Sequence, residues 1–191
     1  RNLGHTIATH HHNVARELNR KRGADQVPED LSFFLEGTEE FDAYWHEMQY
    51  CVQFALNNRL LMMERVKEAF LNHLETSFSD FINKPHNFAD REIHFGTEVI
   101  LHRKGATRAR KGEWGMIPGS QGSSSYIVEG LGNPESFHSC SHGAGRVISR
   151  ARARRELSLK EEIRRLDEMG VVHAIRHRKD LDEAPGSYKD I

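Results

Sequence analysis

The 191-residue chain lacks any long hydrophobic run and contains only two cysteines. Hydrophobic residues make up 37% of it, and no stretch approaches the roughly 20 consecutive apolar residues of a membrane-spanning helix. No secretory signal is visible. Cys51 and Cys140 cannot build a disulfide framework, which is typical of a reducing compartment. The sequence therefore excludes a membrane span and predicts a cytoplasmic protein long enough for one domain with its own core.

Standard nucleotide-binding and metal-binding motifs are absent as well. No Lys-x-Asp-Gly motif occurs, and residues 105–111 contain glycine and lysine without the order that a Walker A loop requires. Neither His-Glu-x-x-His nor Cys-x-x-Cys is present. These absences argue against a lysine nucleotidyltransferase, a P-loop protein and the commonest zinc sites.

Charge is balanced overall but segregated along the chain. The net charge is −1, and residues 23–58 contain eight acids and no lysine or arginine. The basic residues concentrate in two clusters, namely Arg103, Lys104, Arg108, Arg110 and Lys111, and Arg146, Arg150, Arg152, Arg154 and Arg155. Such clusters either follow a phosphate backbone or form solvated surface, and both alternatives stay open at this point.

The first part of the chain has the apolar periodicity of helices. The pattern predicts a helix over His5–Lys21 and an irregular connection through Gly37. Apolar residues then recur at helical spacing over Phe41–Glu75, which predicts one long helix or two helices joined near Asn57-Asn58.

After Pro85 the sequence changes to glycine-rich turns between short apolar runs. Val99–Leu101 and Tyr126–Val128 are predicted strands. Ser158 with Glu161 forms a capping-box pattern, so we predict a short helix that ends at Gly170. We predict a further strand over residues 171–175, and the whole pattern indicates a mixed α and β fold.

The segment from Ser139 to Arg146 reads Ser-Cys-Ser-His-Gly-Ala-Gly-Arg and is the most informative of the chain. A neutral imidazole is a competent nucleophile near pH 7, and Gly143 and Gly145 let backbone amides approach a phosphate. His142 could thus carry a nucleotide. It could also be an ordinary loop histidine, or bind zinc with His138 and Cys140, because alternate residues of a strand share a face.

Read in order, several segments together resemble the RtcB family of RNA-splicing and RNA-repair ligases. They are Arg1-Asn2-Leu3-Gly4, Asn57-Asn58-Arg59, His86-Asn87-Phe88, His102-Arg103-Lys104-Gly105-Ala106-Thr107, Ile117-Pro118-Gly119-Ser120, Ser125-Tyr126-Ile127-Val128, the His142 segment, Asp182-Glu183-Ala184-Pro185 and Tyr188-Lys189-Asp190-Ile191. The resemblance covers nearly the whole chain.

The resemblance implies an α+β fold with a β-sandwich-like core packed by helices. It implies a single catalytic domain over residues 1–191, mainly helical over 1–82, with the nucleotide site in a strand-and-loop part over 83–191. Because the chain starts at Arg1 without an initiator methionine and stops at Ile191 within a family segment, we expect a fragment truncated at both ends. The family's upstream Asp and Cys ligands, two further metal-binding histidines and a C-terminal nucleotide-contacting lysine have no counterpart here.

The resemblance also assigns roles to individual residues. His142 is implied to be the nucleophile that becomes a GMP-carrying phosphoramidate, and His86 to bind manganese. Residues implied to bind the nucleotide are Asn87, Pro118, Gly119, Ser120, Gln121, Ser125, Gly143, Ala144 and Gly145. The family has methionine where this chain has Gln121, which bears on its preference for guanine. Arg1, Lys104 and Arg146 are expected to bind phosphate or RNA ends.

The activity that the resemblance implies is GTP- and manganese-dependent joining of an RNA 3′-phosphate to a 5′-hydroxyl, after hydrolysis of any 2′,3′-cyclic phosphate. GMP would be transferred first to His142, then to the RNA 3′-phosphate, and would leave when the 5′-hydroxyl attacks. Implied substrates are tRNA halves or broken RNA ends, and an archease-type activator is an implied partner.

Two alternatives belong to other classes. The missing metal ligands favour a catalytically silent RNA- or nucleotide-binding remnant, and the His138, Cys140 and His142 trio would suit a zinc-dependent hydrolase. Three further histidines, His10-His11-His12, cannot converge on one ion, since consecutive helical residues diverge by about 100°. We expect these three on the helix surface, and we assign no role to His94 or His102.

Overall fold

The computed structural model describes residues 2–24 and 26–191. The chain divides into two compact units, of which the first ends at Ser79 and the second comprises Asp80–Ile191. Arg1, a predicted phosphate-binding residue, lies outside the described residues. No helix in the described part of the chain is both long enough and apolar enough to cross a membrane.

The first unit is helical, as its periodicity predicts. Helix α1 spans Asn2–Lys21, a 3₁₀ turn spans Glu29–Leu31, and helix α2 spans Glu39–Leu71. The side chain of Thr38 caps α2 by accepting from the backbone N–H of Phe41 (3.3 Å). Helix α2 is continuous, so of the two predicted alternatives the single long helix is correct.

The expectation that His10-His11-His12 lie on the surface is wrong for His11. Its side chain is buried, and its Nε2 lies 2.9 Å from the Glu47 carboxylate on α2. The ring also contacts Tyr44 edge-on, at 5.6 Å between centroids. Because consecutive helical residues diverge by about 100°, one of three must face a neighbouring helix.

The second unit contains three two-stranded antiparallel sheets. Strands β1 (Asn87–His94) and β2 (Thr97–Lys104) form a hairpin, β3 (Ala106–Arg108) is a short strand, and β4 (Trp114–Ile117) pairs with β5 (Tyr126–Glu129). Strand β6 (Ser139–Ser141) pairs with β3. The strands predicted from Val99–Leu101 and Tyr126–Val128 are confirmed as parts of β2 and β5.

The β1–β2 hairpin turns through Phe95 and Gly96, which both have positive φ (53° and 78°). Positive φ at both central residues is the type I′ geometry that matches the twist of paired strands. The register is fixed along eight residue pairs, from Asn87 opposite Lys104 to His94 opposite Thr97.

The C-terminal part carries the hydrophobic core of this unit. It comprises helices α3 (Arg150–Glu156) and α4 (Leu159–Glu168) and two 3₁₀ turns, over Arg178–Glu183 and Pro185–Ser187. A further 3₁₀ turn, over Pro134–Ser136, precedes β6. The core consists of Leu166, Ile175, Leu181 and Ala184.

The predicted helix start at Ser158 is confirmed, since its hydroxyl accepts from the N–H of Glu161 (3.4 Å). Gly170 follows the end of α4 and has a φ of 69°, a left-handed conformation that favours glycine. The strand predicted over residues 171–175 is wrong. Val171 and Ile175 pack on the core, but no strand pairs with them in the described chain. Alternating apolar residues thus indicate that one face of an extended segment is buried, but they do not indicate whether a partner strand is present.

The predicted α+β class is confirmed by this mixture of helices and strands. The described strands form three separate pairs, so the β-sandwich-like core implied by the resemblance stays an expectation.

Candidate active site

The two histidines to which chemistry was assigned lie side by side. His86 immediately precedes β1 and His142 immediately follows β6. Their ring centroids are 4.8 Å apart, and the ring planes are inclined by 48°. His86 is exposed and His142 is half-buried. The pair can therefore face a ligand that comes from solvent.

Strand β3 holds both histidines in place. On one edge Thr107 pairs with Cys140 of β6, in the strand that leads to His142. The Thr107 hydroxyl also donates to the carbonyl oxygen of Pro85 (3.1 Å), next to His86. Thr107 is 2% exposed. Thr107 ends one of the segments that carry the resemblance, but the resemblance implies no role for it.

Gly105 joins the His86 segment to β3 and requires a backbone conformation that favours glycine. Its N–H donates to the carbonyl oxygen of His86 (3.1 Å). A Cβ at Gly105 would lie 3.9 Å from Cε1 of His142, and its φ is +75°, a conformation that side chains disfavour.

The loop after His142 is bonded to the turn that was predicted to bind guanosine. The N–H of Ala144 donates to the carbonyl oxygen of Pro118 (3.0 Å). A Cβ on Gly143 would lie 3.4 Å from the same oxygen. Gly145, with φ 76°, accepts a hydrogen bond from the N–H of Lys189 (3.0 Å). The His142 loop and the Pro118 turn are thus joined by a backbone hydrogen bond and form one connected surface.

The Pro118 turn is held by serine hydroxyls. Ser125 accepts from the N–H of Gly119 (3.2 Å), and Ser123 accepts from the N–H of Ser120 (2.7 Å). A Cβ on Gly119 would come 2.2 Å from the carbonyl oxygen of Ser124, which no side chain tolerates. Gln121 is exposed at the tip of the turn.

Two other predicted binding residues lie beside His86. Asn87 and Lys104 are opposite each other in the hairpin register, and both are exposed. The structure therefore brings an amide and an ammonium group to the end of the hairpin that carries His86.

Arg146, predicted to bind phosphate, makes several contacts within the protein. Its guanidinium donates to the hydroxyl of Tyr188 (3.0 Å) and to the carbonyl oxygen of Ile148 (3.2 Å). It also donates to the carbonyl oxygen of Asp182, and lies over the Tyr188 ring at 4.8 Å. A phosphate would have to share this guanidinium with these groups.

Arg103 is not part of a phosphate-binding surface, contrary to its inclusion in the predicted basic cluster. It is 3% exposed, and its guanidinium binds the Glu92 carboxylate at 2.5 and 3.0 Å. Glu92 also contacts His94 at 2.9 Å. Hydrogen bonds from Arg103 lower the pKa of Glu92 from 4.5 to about 2 against the effect of burial, and His94 contributes further.

The buried Arg103 also holds the segment that leads to His142. It donates to the Ser139 hydroxyl (2.8 Å) and to the carbonyl oxygen of Phe137 (3.1 Å). Phe137 and His138 both have positive φ (52° and 49°), which is strained for residues other than glycine. Arg103 thereby fixes the start of β6, three residues before His142.

The zinc site proposed from His138, Cys140 and His142 is not formed. The His138 ring lies against His94, at 5.1 Å between centroids, whereas His142 lies against His86. Burial raises the pKa of the Cys140 thiol, which disfavours the thiolate that zinc binds. In the described part of the chain, no three His, Cys, Asp or Glu side chains are grouped to hold a metal.

Comparison with known proteins identifies the family. A family model described as tRNA-splicing ligase RtcB matches residues 1–191. The chain belongs to the RtcB family. It is 41% identical to the RNA-splicing ligase RtcB of Escherichia coli strain K12, covering 100% of this chain and 48% of that protein. It is 32% identical to the tRNA-splicing ligase RtcB of Thermococcus kodakarensis, covering 100% of this chain and 45% of that protein.

This RtcB chain spans about half the length of the curated relatives that it matches. The resemblance inferred from the ordered motifs is confirmed. The adjacency of His86 and His142 is a feature of the tertiary structure, because the two residues are far apart in the sequence.

Proposed function

We propose that this RtcB chain carries the nucleophile of a GTP- and manganese-dependent RNA ligase, which joins a 3′-phosphate or 2′,3′-cyclic phosphate end to a 5′-hydroxyl end. The observation that carries the proposal is the contact between His142 and His86, with 4.8 Å between ring centroids. It places a candidate nucleophile, which is half-buried, next to a candidate metal ligand, which is exposed.

In the proposed reaction an imidazole nitrogen of His142 attacks the α-phosphorus of GTP. A P–N bond forms while the bond to the β-phosphate oxygen breaks, and pyrophosphate leaves. An oxygen of the RNA 3′-phosphate then attacks the same phosphorus and the imidazole leaves. Finally the 5′-hydroxyl attacks the activated 3′-phosphate, its proton is lost, and GMP departs. A cyclic phosphate would be hydrolysed before the second step.

The nucleotide would lie along the connected surface of the His142 loop and the Pro118 turn. Ala144 bonds to Pro118 across this surface (3.0 Å). The serine hydroxyls and exposed Gln121 of the turn offer polar groups to a base or ribose. Asn87 and Lys104, beside His86, are positioned to contact phosphate oxygens.

The described residues fit a metal only in part. His86 can supply one imidazole, but no group of three ligand side chains exists in the described chain. Bound manganese would neutralise phosphate charge and orient the reacting groups.

The proposed partners are RNA ends, including tRNA halves, and an archease-type activator, with the cytoplasm as the location. RNA is supported by the names of the relatives, which describe splicing of RNA and tRNA. The activator follows only from membership of the family. A catalytically silent RNA-binding protein is the second candidate, and the incomplete metal cluster favours it.

Guanylylation tests the proposal directly. We expect the intact protein, meaning the whole polypeptide in which these residues occur, to gain one GMP when incubated with GTP and manganese. Intact-mass measurement would detect the adduct, which should be labile in acid and stable in alkali, as a P–N bond is. Absence of an adduct in a protein that still binds RNA would establish the silent alternative.

The substitution His86→Ala should raise the manganese concentration needed for half-maximal guanylylation. Removing a residue that hydrogen-bonds to a metal ligand typically lowers metal affinity by about 10- to 100-fold. Removing a ligand itself should lower the affinity at least as much. His102→Ala is the matched control, since His102 is exposed on β2 and has no assigned role. Normal guanylylation of His86→Ala at low manganese would mean that His86 is structural.

A further inference from the structure

The wall of a cavity of about 580 Å³ in the second unit includes two arginines and a lysine that the proposed reaction does not use. Arg91, Arg110, Lys111 and His138 contribute to its wall, together with the carboxylate of Glu92. The cavity lies at the N-terminal end of β6, whereas His142 lies at the C-terminal end.

The acidic groups near the cavity are engaged by other cations. Glu92 is bound at 2.5 and 3.0 Å by the buried Arg103, and Arg110 forms a longer ion pair with it at 3.9 Å. Glu113 pairs with Arg108 (2.8 Å) and Lys84 (3.4 Å).

Positive charge therefore remains in excess at the cavity. Arg91 is partly neutralised by Glu98, at 3.2 Å. Lys111 has no ion-pair partner among the residues that the structure describes. Arg110 and Lys111 are both exposed, so their charges are available to an anion.

The turn that carries Arg110 and Lys111 is held by two glycines. The N–H of Gly132 donates to the carbonyl oxygen of Ala109 (3.1 Å), and Gly130 accepts from the N–H of Gly112 (3.0 Å). A Cβ would lie 2.3 Å from the carbonyl oxygen of Arg110 at Gly130, and 2.8 Å from the N of Lys111 at Gly132. The backbone beneath the two cations is thus ordered before any ligand binds.

We propose that this cavity binds a backbone phosphate of the RNA strand whose end reacts at His142. The inference rests on the proposed function, and it adds a subsite to that reaction. Guanidinium and ammonium groups are the side chains that bind phosphate most effectively, and an exposed pair suits a backbone phosphate that must later be released.

The distance between His138 at the cavity and His142 limits how many nucleotides can separate the bound phosphate from the reacting end. His138 and His142 are four residues apart on either side of β6, which spans at most about 13 Å at roughly 3.3 Å per residue. A stacked strand advances about 3.4 Å per nucleotide. The bound phosphate would therefore lie within about four nucleotides of the reacting end.

The salt dependence of RNA binding tests the subsite. Binding of a single-stranded 3′-phosphate RNA of eight nucleotides to the intact protein should weaken in Lys111→Ala. The slope of log K against log salt should fall in magnitude by about 0.7, the value for one phosphate contact in a single strand. Lys111→Arg should restore the slope. Lys160→Ala is the matched control, since Lys160 is exposed on α4, away from the cavity.

An unchanged slope in Lys111→Ala would overturn the subsite, as would an equal loss in Lys160→Ala. An effect that persists with a nucleoside 3′-phosphate would also overturn it, because that ligand has no backbone phosphate. Guanylylation of the wild-type protein in the same preparation tests the ligase proposal separately. If the GMP adduct forms but Lys111→Ala leaves the salt slope unchanged, only the subsite proposal is refuted. If Lys111→Ala changes the slope but no adduct forms, only the ligase proposal is refuted.

Discussion

The substitution His142→Ala is expected to abolish formation of the covalent GMP adduct. Alanine has no nitrogen that could form the P–N bond, and a catalytic group that acts within a unit cannot be replaced by the residues that remain. The measurement is intact mass, together with labelled GTP and mapping of the labelled peptide. RNA sealing should fall below detection in the same variant.

His102→Ala serves again as the control and should keep the adduct. We expect His142→Ala to fold normally, because His142 is only half-buried and lies outside the paired residues of β3 and β6. Loss of the adduct would then reflect the missing imidazole. Retention of the label in His142→Ala, or its recovery on a lysine, would refute the assignment of the nucleophile.

Replacing Arg103 by methionine is expected to lower the free energy of unfolding by about 3–5 kcal/mol, the usual effect of breaking a buried ion pair from one side. Methionine leaves the Glu92 carboxylate buried and without its bidentate partner. It also removes the donors to Ser139 and Phe137. Urea unfolding at neutral pH would measure the loss.

Arg164→Met is the matched control, because Arg164 is exposed on α4 and pairs only with exposed Glu161 and Glu168. We expect little change in that variant, since exposed pairs contribute little. A small effect of Arg103→Met, equal to that of the control, would show that the buried pair does not stabilise this unit.

The pH dependence of stability should change in the same variant. In the wild type, the pKa of Glu92 falls from 4.5 to about 2 on folding. Its stabilising contribution is therefore complete above about pH 4.5 and is lost as the pH falls towards 2. Without Arg103 the pKa of Glu92 should rise, so part of the acid-induced loss of stability should disappear. If Arg103→Met and the wild type lose the same free energy of unfolding between about pH 4.5 and pH 2, this explanation is wrong.

Elements with local signals could be predicted from the sequence. Ser158 begins α4 because its hydroxyl satisfies a backbone N–H, and that chemistry depends only on residues three positions apart. Val99–Leu101 forms part of β2, whose partner is the preceding hairpin arm, β1. The segment at 171–175 has an equally apolar pattern but no partner, so a local rule could not separate the two cases.

The candidate site was predicted in composition but not in arrangement. Motifs identified His86 and His142, yet nothing local indicates that the two rings lie 4.8 Å apart. That contact depends on Thr107, which pairs with Cys140 and also bonds to Pro85. Glu92 and His94 share a face because they are two residues apart on a strand, but the sequence does not indicate that this face is buried.

The sequence by itself determined the family, the helices and hairpins with local signals, and the residue types that can perform phosphoryl chemistry. Only the tertiary structure decided which charges are available to a ligand. Arg103 and Lys111 belong to the same basic cluster, but Arg103 is buried against Glu92 and Lys111 is exposed. The physical reason is that burial and ion pairing depend on contacts between residues far apart in the chain, and composition and spacing do not contain that information.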